Sequence, residues 1–128
     1  MTENEISRII VNAAVEVHRV LGGPGLIESV YEQALAWELT AAGLSIQRQV
    51  EVPIAYKGVV LSAPLRLDML ANDLVIIECK SMTKLNAVFA AQALTYLRLR
   101  KLRHAIVINF GERLVKNGIH RVINGTLG

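Results

Sequence analysis

The sequence predicts a single α/β domain, residues 1–128, in which helices flank a central mixed sheet. Three observations lead to this fold class. Two segments with helical spacing of apolar residues open the chain, three strand-like segments follow in succession, and a further helical segment precedes another apolar strand. The predicted order is α-α-β-β-β-α-β, an α/β sandwich. A chain of 128 residues is long enough to bury one hydrophobic core.

The first two predicted elements are helices. Residues 5–21 carry apolar side chains at helical intervals, and Gly22-Gly23-Pro24-Gly25 ends this helix abruptly. The second helix is predicted from about Leu26 to Ala42, and Gly43 is its expected C-cap.

Three strands are predicted next. Residues 46–55 alternate as a strand should, and Tyr56-Lys57-Gly58 reads as a turn. The second strand runs from Val59 to Leu70, with an interruption or bulge around Ser62-Ala63-Pro64. The third strand, residues 74–80, is apolar on both faces, which is typical of a buried strand.

A helix from about Lys84 to Arg100 connects the third strand to a short apolar strand, Ala105 to Asn109. Such a connection is expected to be a right-handed crossover, which makes these two strands parallel neighbours. Residues 119–123 offer a final strand after a turn at Gly118.

The composition excludes several classes of protein. Hydrophobic residues make up 52% and charged residues 20% of the chain, which favours a compact globular protein over a disordered one. Aromatic residues make up only 5%, which argues against a base-stacking platform for single strands.

The sequence also predicts a cytoplasmic protein without a membrane span. The charge-free stretch from Leu85 to Leu97 is shorter than the roughly 18 apolar residues that a spanning helix needs. The acidic N-terminus lacks the order of a signal peptide, and the single cysteine, Cys79, leaves no internal disulfide possible.

Charge is distributed unevenly along the chain. From Arg98 onward there are seven basic residues and one acidic residue, although the net charge of the whole chain is only +3. This asymmetry is a footprint expected of a polyanion-binding protein. Basic residues that complement the C-terminal dipole of a solvated helix would give the same pattern. The candidate nucleic-acid contacts are Arg98, Arg100, Lys101 and Arg103.

The richest chemical signal lies between Asp68 and Lys80. The apolar run 74–77 ends in Glu78-Cys79-Lys80, and Glu78 and Lys80 share a strand face. Ionisable groups at the end of a buried strand are costly unless they are paired or bind a metal. The spacing therefore suggests a divalent-metal site in a phosphodiesterase. The alternative is an ordinary exposed Glu–Lys pair, since a three-residue motif recurs by chance.

A shared metal would require Asp68 and Glu78 to lie on the same face of the sheet. A strict two-residue turn at Asn72-Asp73 would put them on opposite faces. We therefore predict a three-residue turn, Ala71-Asn72-Asp73, or a compensating bulge, with Asn72 or Asp73 in a left-handed conformation.

A set of short motifs occurs in a characteristic order over residues 5–123. The most distinctive is Gly25-Leu-Ile-Glu28-Ser-Val-Tyr31, and the others are His18-Arg-Val-Leu21, Tyr56-Lys-Gly58, Arg66-Leu-Asp68, Glu78-Cys-Lys80, Gln92-Ala-Leu-Thr-Tyr96 and Ile108-Asn-Phe110. The ordered set resembles the PD-(D/E)xK nuclease superfamily and, within it, the small bacterial GxxExxY proteins. The resemblance implies a restriction-endonuclease-like version of the predicted sandwich.

The resemblance implies roles for the ionisable residues. Asp68 and Glu78 would bind Mg²⁺ (or Mn²⁺), with the Cys79 backbone carbonyl as a third ligand. Lys80 would orient or deprotonate the attacking water, or stabilise developing negative charge. Glu28 would be an outer ligand or an orienting base, although a carboxylate at a helix N-terminus is also favoured by the helix dipole.

Two residues of the third predicted helix complete the candidate site. Gln92 and Tyr96 are four residues apart and share a helix face. The resemblance implies that Gln92 orients a metal-bound water or a phosphate and that Tyr96 supplies a hydroxyl at the pocket rim. A partly exposed polar stripe on an ordinary helix is the alternative.

We therefore expect a metal-dependent phosphodiester hydrolase that acts on DNA. One domain carries one active site, so cutting both strands requires a homodimer or successive nicks. A non-catalytic nucleic-acid-binding or scaffold protein that retains the fold is the alternative. Hydrolysis of RNA or of a small nucleotide is a third hypothesis.

Overall fold

A computed structural model describes residues 1–62 and 65–125, which form three α-helices, seven strands and one 3₁₀ turn. In chain order the elements are α1 (Glu3–Val20), α2 (Glu28–Ala41), β1 (Ile46–Val52), β2 (Ala55–Tyr56), β3 (Val59–Val60), β4 (Leu65–Ala71), β5 (Val75–Lys80), α3 (Val88–Arg100), β6 (His104–Asn109), the 3₁₀ turn (Val115–Gly118) and β7 (Ile119–Ile123).

The central sheet is mixed and has the strand order β1-β4-β5-β6-β7. The β5–β6 pair is parallel, and the other neighbouring pairs are antiparallel. Helix α3 connects β5 to β6, and the predicted parallel pairing of these two strands is confirmed. The predicted fold class, a mixed sheet flanked by helices, is confirmed as well.

Each face of the sheet is covered by a different set of helices. Helices α1 and α2 pack on one face, where Ile10, Leu35 and Ile77 belong to the same buried cluster. Helix α3 packs on the other face, where Leu97 and Ile76 belong to a second cluster. We call this second side of the sheet the α3 face. Burying both faces explains the continuous apolar run of β5.

Helix α1 has clear start signals in the sequence. The Thr2 side chain accepts a hydrogen bond from the Glu5 N–H at 3.2 Å, which caps the helix. Acidic Glu3 and Glu5 occupy the first turn, and basic His18 and Arg19 occupy the last turn, as the helix dipole favours.

The predicted second strand, Val59 to Leu70, is wrong as a single element. Val59 and Val60 instead pair with Ala55 and Tyr56 in a separate two-stranded ribbon, and β4 begins only at Leu65. The cause is local: Lys57 and Gly58 both have positive φ angles (49° and 80°), which closes a two-residue hairpin turn. The predicted interruption at Ser62-Ala63-Pro64 falls partly on residues 63–64, which lie outside the described residues.

Several other boundaries also differ from the prediction. Strand β1 ends at Val52, three residues earlier than expected, and α2 begins at Glu28. Helix α3 begins at Val88, with Ala87 as its N-cap, and the Asn86 side chain accepts the Val88 N–H at 2.9 Å. The final strand, residues 119–123, is confirmed as β7.

The hairpin between β4 and β5 has the length and conformation that were predicted. Ala71 pairs with Val75, so three residues separate the paired positions, one residue later than expected. Both Asn72 and Asp73 are left-handed, with φ angles of 51° and 56°. The Asn72 side chain also accepts the Ser45 N–H at 2.7 Å, which fixes the turn against the start of β1.

No helix within residues 1–62 and 65–125 is both long and apolar enough to cross a membrane.

Candidate active site

The hairpin register aligns chemistry-bearing residues in one row across the sheet. Met69 pairs with Ile77 and Leu70 with Ile76, so the same register brings Asp68 opposite Glu78. Glu78 in turn lies beside Val107 of β6, and Val107 pairs with His120 of β7. Laterally paired residues share a sheet face, and Val107 packs against α3. The row Asp68-Glu78-Val107-His120 therefore lies on the α3 face.

Asp68 and Glu78 are in direct contact with the backbone of each other's strands. The Asp68 Oδ2 atom accepts the Cys79 N–H at 2.8 Å, and the Asp68 N–H donates to Glu78 Oε1 at 3.4 Å. A side-chain acceptor thus replaces a backbone carbonyl at this point of the β4–β5 ladder. The two carboxyl groups that the sequence predicted as metal ligands are brought together.

The strand geometry changes at Asp68. Gln49, which would pair with Asp68, has a φ angle of 52° and is absent from the β1–β4 ladder. Met69 packs in the cluster of α1 and α2, whereas Leu67 packs in the cluster of α3. Two residues at this spacing would share a face in a regular strand. This local reorientation accompanies the turn of the Asp68 carboxylate toward β5.

Burial makes the carboxyl pair electrostatically unusual. Glu78 is only 5% exposed. Burial, followed by the adjacent Asp68 carboxylate, raises the pKa of Glu78 to about 9, and Lys80 offsets part of this rise. Without a bound cation, this raised pKa favours one proton on the carboxyl pair at neutral pH.

Lys80 is held next to this pair at the end of β5. It shares the strand face of Glu78, and its Nζ atom lies 4.6 Å from the centroid of the Phe89 ring of α3. A cation–π contact of this kind restrains an otherwise flexible ammonium group. The predicted catalytic lysine is therefore located beside the predicted ligands.

The two α3 residues of the predicted site, Gln92 and Tyr96, differ in burial. Tyr96 is buried in the cluster beneath the sheet. Burial, followed by Glu78 and Asp68, raises the pKa of Tyr96, which keeps its hydroxyl protonated. Gln92 lies one turn earlier on α3 and is exposed. Tyr96 is thus within electrostatic range of the carboxyl pair, while Gln92 lies on the solvent side of the helix.

Glu28 is the first residue of α2 and is exposed. The beginning of α2 is tied to the end of β5, because the Ser81 hydroxyl donates to the Leu26 carbonyl at 2.7 Å. Within the described ranges, however, no group of three or more His, Cys, Asp and Glu side chains is arranged to hold a metal. Asp68 and Glu78 form a two-carboxylate site, and the metal role of Glu28 stays a prediction.

Tyr31, the last residue of the most distinctive motif, has a structural role. Its side chain is fully buried and stacks on Phe110, with ring centroids 4.7 Å apart. Its hydroxyl donates to the Gly23 carbonyl at 2.7 Å and accepts the Leu26 N–H at 3.2 Å. Tyr31 therefore closes the glycine-rich turn and sets the start of α2 beside β5.

Cys79 is buried, and its side chain belongs to the cluster of α1 and α2. Burial, followed by the surrounding carboxylates, raises the pKa of the Cys79 thiol well above its usual range. A thiol in this state is a poor nucleophile and a small apolar group. Only the backbone of Cys79 is directed at Asp68.

Sequence reasoning missed Glu32, a buried carboxylate of α2. Its Oε1 atom accepts from the Gln49 side chain at 2.9 Å and lies 3.4 Å from Arg48 Nε. These contacts support the irregular β1 backbone opposite Asp68. Glu32 follows Glu28 by one helical turn, but this spacing alone gave no reason to expect burial.

Sequence reasoning also missed the role of Asn109, which is fully buried at the end of β6. Its side chain accepts the N–H groups of Met82 and Gly111 and donates to the Met82 carbonyl, each at 3.0 Å. We call this arrangement the Asn109 clamp. It fixes the chain two residues after Lys80. A Cβ atom at Gly111 would overlap the Met82 backbone, so this close approach requires glycine.

The four predicted nucleic-acid contacts lie at the far end of α3. Arg100 follows Phe89, which lies beside Lys80, by eleven residues, a distance of roughly 16 Å along a helix. Lys101 is the left-handed C-cap, and Arg103 forms an ion pair with Glu3 at 3.0 Å. This basic group is therefore remote from Lys80.

The carboxyl pair fits a divalent cation. Mg²⁺ commonly uses one or two protein carboxylates and completes its shell with water and substrate oxygens. The raised pKa of Glu78 comes first from burial and then from the adjacent Asp68 carboxylate, and both causes disfavour a second negative charge on the pair. A cation would compensate that charge. Asp68 and Glu78 are the residues that would hold it.

The model of one family, described as the PD-(D/E)XK nuclease superfamily, matches residues 4–122. No curated protein and no solved structure matches the chain.

Proposed function

Because the chain belongs to the PD-(D/E)XK nuclease superfamily, we propose that it is an endonuclease that hydrolyses phosphodiester bonds in DNA with Mg²⁺ (or Mn²⁺). Family membership supports a nuclease-type function. The single observation that carries the proposal further is the buried Asp68–Glu78 pair with Lys80 beside it.

The chain's own residues would divide the work. Asp68 and Glu78 would hold the cation, after Glu78 releases its proton. The bound cation would supply Lewis-acid stabilisation of the phosphoryl oxygens and make a water nucleophilic near neutral pH. The Lys80 ammonium would orient that water or stabilise negative charge, and the protonated Tyr96 hydroxyl would serve as a donor.

A plasmid and oligonucleotide assay tests the proposal. Wild-type protein is expected to nick supercoiled DNA in Mg²⁺ or Mn²⁺ and to be inactive in EDTA. Asp68→Asn, Glu78→Gln and Lys80→Met should each reduce turnover by at least 100-fold. Asp73→Asn is the matched control, because Asp73 is an exposed carboxylate in the adjacent turn.

The substrate panel includes double-stranded DNA, single-stranded DNA, RNA and free nucleotides. If RNA or free nucleotides were cleaved faster than DNA, DNA would not be the preferred substrate. Linear product that appears directly from plasmid would indicate a homodimer, whereas successive nicks would indicate one active site at a time. Metal-dependent binding without cleavage of any substrate would favour a non-catalytic nucleic-acid-binding protein.

A further inference from the structure

A cavity of about 390 Å³ lies on the α3 face, around the start of α3. Its apolar wall includes Val107, and its polar and charged lining consists of Lys84, Asn86, Glu112, Asn117 and His120. The volume lies in the range of small-ligand sites. The lining combines cationic, anionic and amide groups.

The sheet register connects this cavity to the candidate active site. Val107 lies beside Glu78, and His120 lies beside Val107. Neighbouring strands are about 4.8 Å apart, so the backbones of Glu78 and His120 are separated by roughly 10 Å. In B-form DNA this corresponds to about three base steps along one strand.

Two side chains of the lining suit a phosphate. The Lys84 ammonium and the His120 imidazole are exposed and line the cavity, and the positive end of the α3 dipole is next to them. The first N–H groups of α3 are already bonded to Asn86 Oδ1 and to the carbonyls of Asn86 and Ala87. Direct phosphate contacts would therefore come from Lys84 and His120.

The Glu112 carboxylate favours a nucleotide over inorganic phosphate as the ligand of this cavity. A carboxylate in the lining repels free phosphate, but it can accept a hydrogen bond from a base amino group. Asn117 has an amide that can pair with a base edge. A nucleotide would use these groups together with Lys84 and His120, whereas inorganic phosphate would use only Lys84 and His120.

We propose that this cavity binds a nucleotide of the substrate strand within about three positions of the scissile bond. Lys84 and His120 would contact its phosphate, and Glu112 and Asn117 would contact its base. This inference rests on the proposed nuclease function and adds a subsite to it.

The first test uses the full chain and a duplex with one mapped cleavage position. Lys84→Ala and His120→Ala should each raise KM roughly tenfold, with the loss in KM rather than in kcat. Lys57→Ala, which removes a lysine outside the cavity lining, is the matched control. Substrates can also be shortened stepwise from each end. Once the nucleotide that occupies the cavity is removed, the KM of the wild-type protein should rise by the same factor, and Lys84→Ala and His120→Ala should not raise KM further on that substrate. Unchanged KM in both variants on all substrates would overturn the proposal.

The second test separates this subsite from catalysis. Deoxynucleoside monophosphates should bind the wild-type protein and shift the NMR signals of His120, and inorganic phosphate should bind more weakly. Glu112→Gln should strengthen phosphate binding and reduce the preference for the nucleotide. If no nucleic acid is cleaved but nucleotides bind at His120, nucleotide binding by the cavity stands, whereas its place near a scissile bond fails together with the nuclease function. If cleavage occurs but neither nucleotide binding nor KM depends on Lys84 and His120, the subsite fails and the nuclease function stands.

Discussion

At the scale of single residues, Glu78 links the candidate chemistry to stability. Its pKa is raised from the usual 4.5 to about 9, first by burial and then by Asp68. Between these pH values the folded protein binds a proton that the unfolded chain has released. The free energy of unfolding of the metal-free protein should therefore fall as pH rises from about 5 to 9, by at most about 1.4 kcal/mol per pH unit.

The variant Glu78→Gln should remove most of this pH dependence. Glutamine cannot ionise, so the variant should be as stable as wild type near pH 5 and more stable near pH 9 in EDTA. Denaturant unfolding across this pH range measures the effect, with Asp73→Asn as a control that keeps the wild-type slope. Identical slopes in wild type and Glu78→Gln would contradict the assigned ionisation.

The residues of the site should separate in their response to metal. Asp68→Asn removes a ligand charge, so Mg²⁺ should no longer raise the Tm of this variant. Lys80→Met should keep the Mg²⁺-dependent rise although turnover is lost, because an ammonium group cannot bind a cation and its removal relieves repulsion. Thermal melts with and without Mg²⁺ measure this, and Lys57→Met is the control. If Lys80→Met lost the Mg²⁺-dependent rise in Tm while Lys57→Met kept it, Lys80 would have a structural role.

At the scale of elements, the Asn109 clamp positions the end of β5. Asn109→Ala leaves the Met82 N–H, the Met82 carbonyl and the Gly111 N–H without their side-chain partner. Unfolding should become easier by roughly 1–3 kcal/mol, and turnover should fall because Lys80 is two residues from the released segment. Equilibrium unfolding and kcat measurements check both effects.

A conservative replacement of Asn109 distinguishes its effect on the position of Lys80 from its effect on the stability of the whole protein. Asn109→Asp retains an acceptor for the two N–H groups and loses the donor to Met82, so it should recover part of both losses. Asn12→Ala, at an exposed site on α1, is the matched control. Equal turnover in wild type and Asn109→Ala, measured where both are folded, would show that the clamp does not position Lys80.

At the scale of the whole molecule, the basic residues and the carboxyl pair occupy different regions. Arg100 and Lys101 end α3, roughly 16 Å along the helix from Phe89. They would therefore contact a flank of a long substrate rather than the scissile phosphate. Each phosphate contact that is lost lowers the slope of log K against log salt by about 0.9 for duplex DNA.

The double substitution of Arg100 and Lys101 by alanine should therefore reduce this slope by up to about 2. Fluorescence anisotropy with a labelled duplex, measured over a salt series with catalytically inactive Asp68→Asn protein, gives the slope. Arg8→Ala, which removes an exposed charge from α1, should leave it unchanged. Binding that is independent of salt would exclude a polynucleotide partner.

The sequence by itself determined the layer architecture, because hydrophobic periodicity dictates which faces of helices and strands are buried. It also predicted a three-residue turn with Asn72 or Asp73 left-handed, since Asp68 and Glu78 could share a sheet face only with one more residue than a tight turn provides. The turn has this length but lies one residue later than predicted. The short β2–β3 ribbon was missed, because the local Lys57–Gly58 turn outweighed the longer strand pattern.

Only the tertiary structure decided how the site is assembled and charged. The Asn109 clamp, the burial of Glu32 and the row from Asp68 to His120 depend on contacts between residues far apart in the chain. The raised pKa of Glu78 likewise comes from burial and from a carboxylate of another strand. Local periodicity does not encode desolvation or the distance between strands, and these two quantities set the electrostatics of the carboxyl pair.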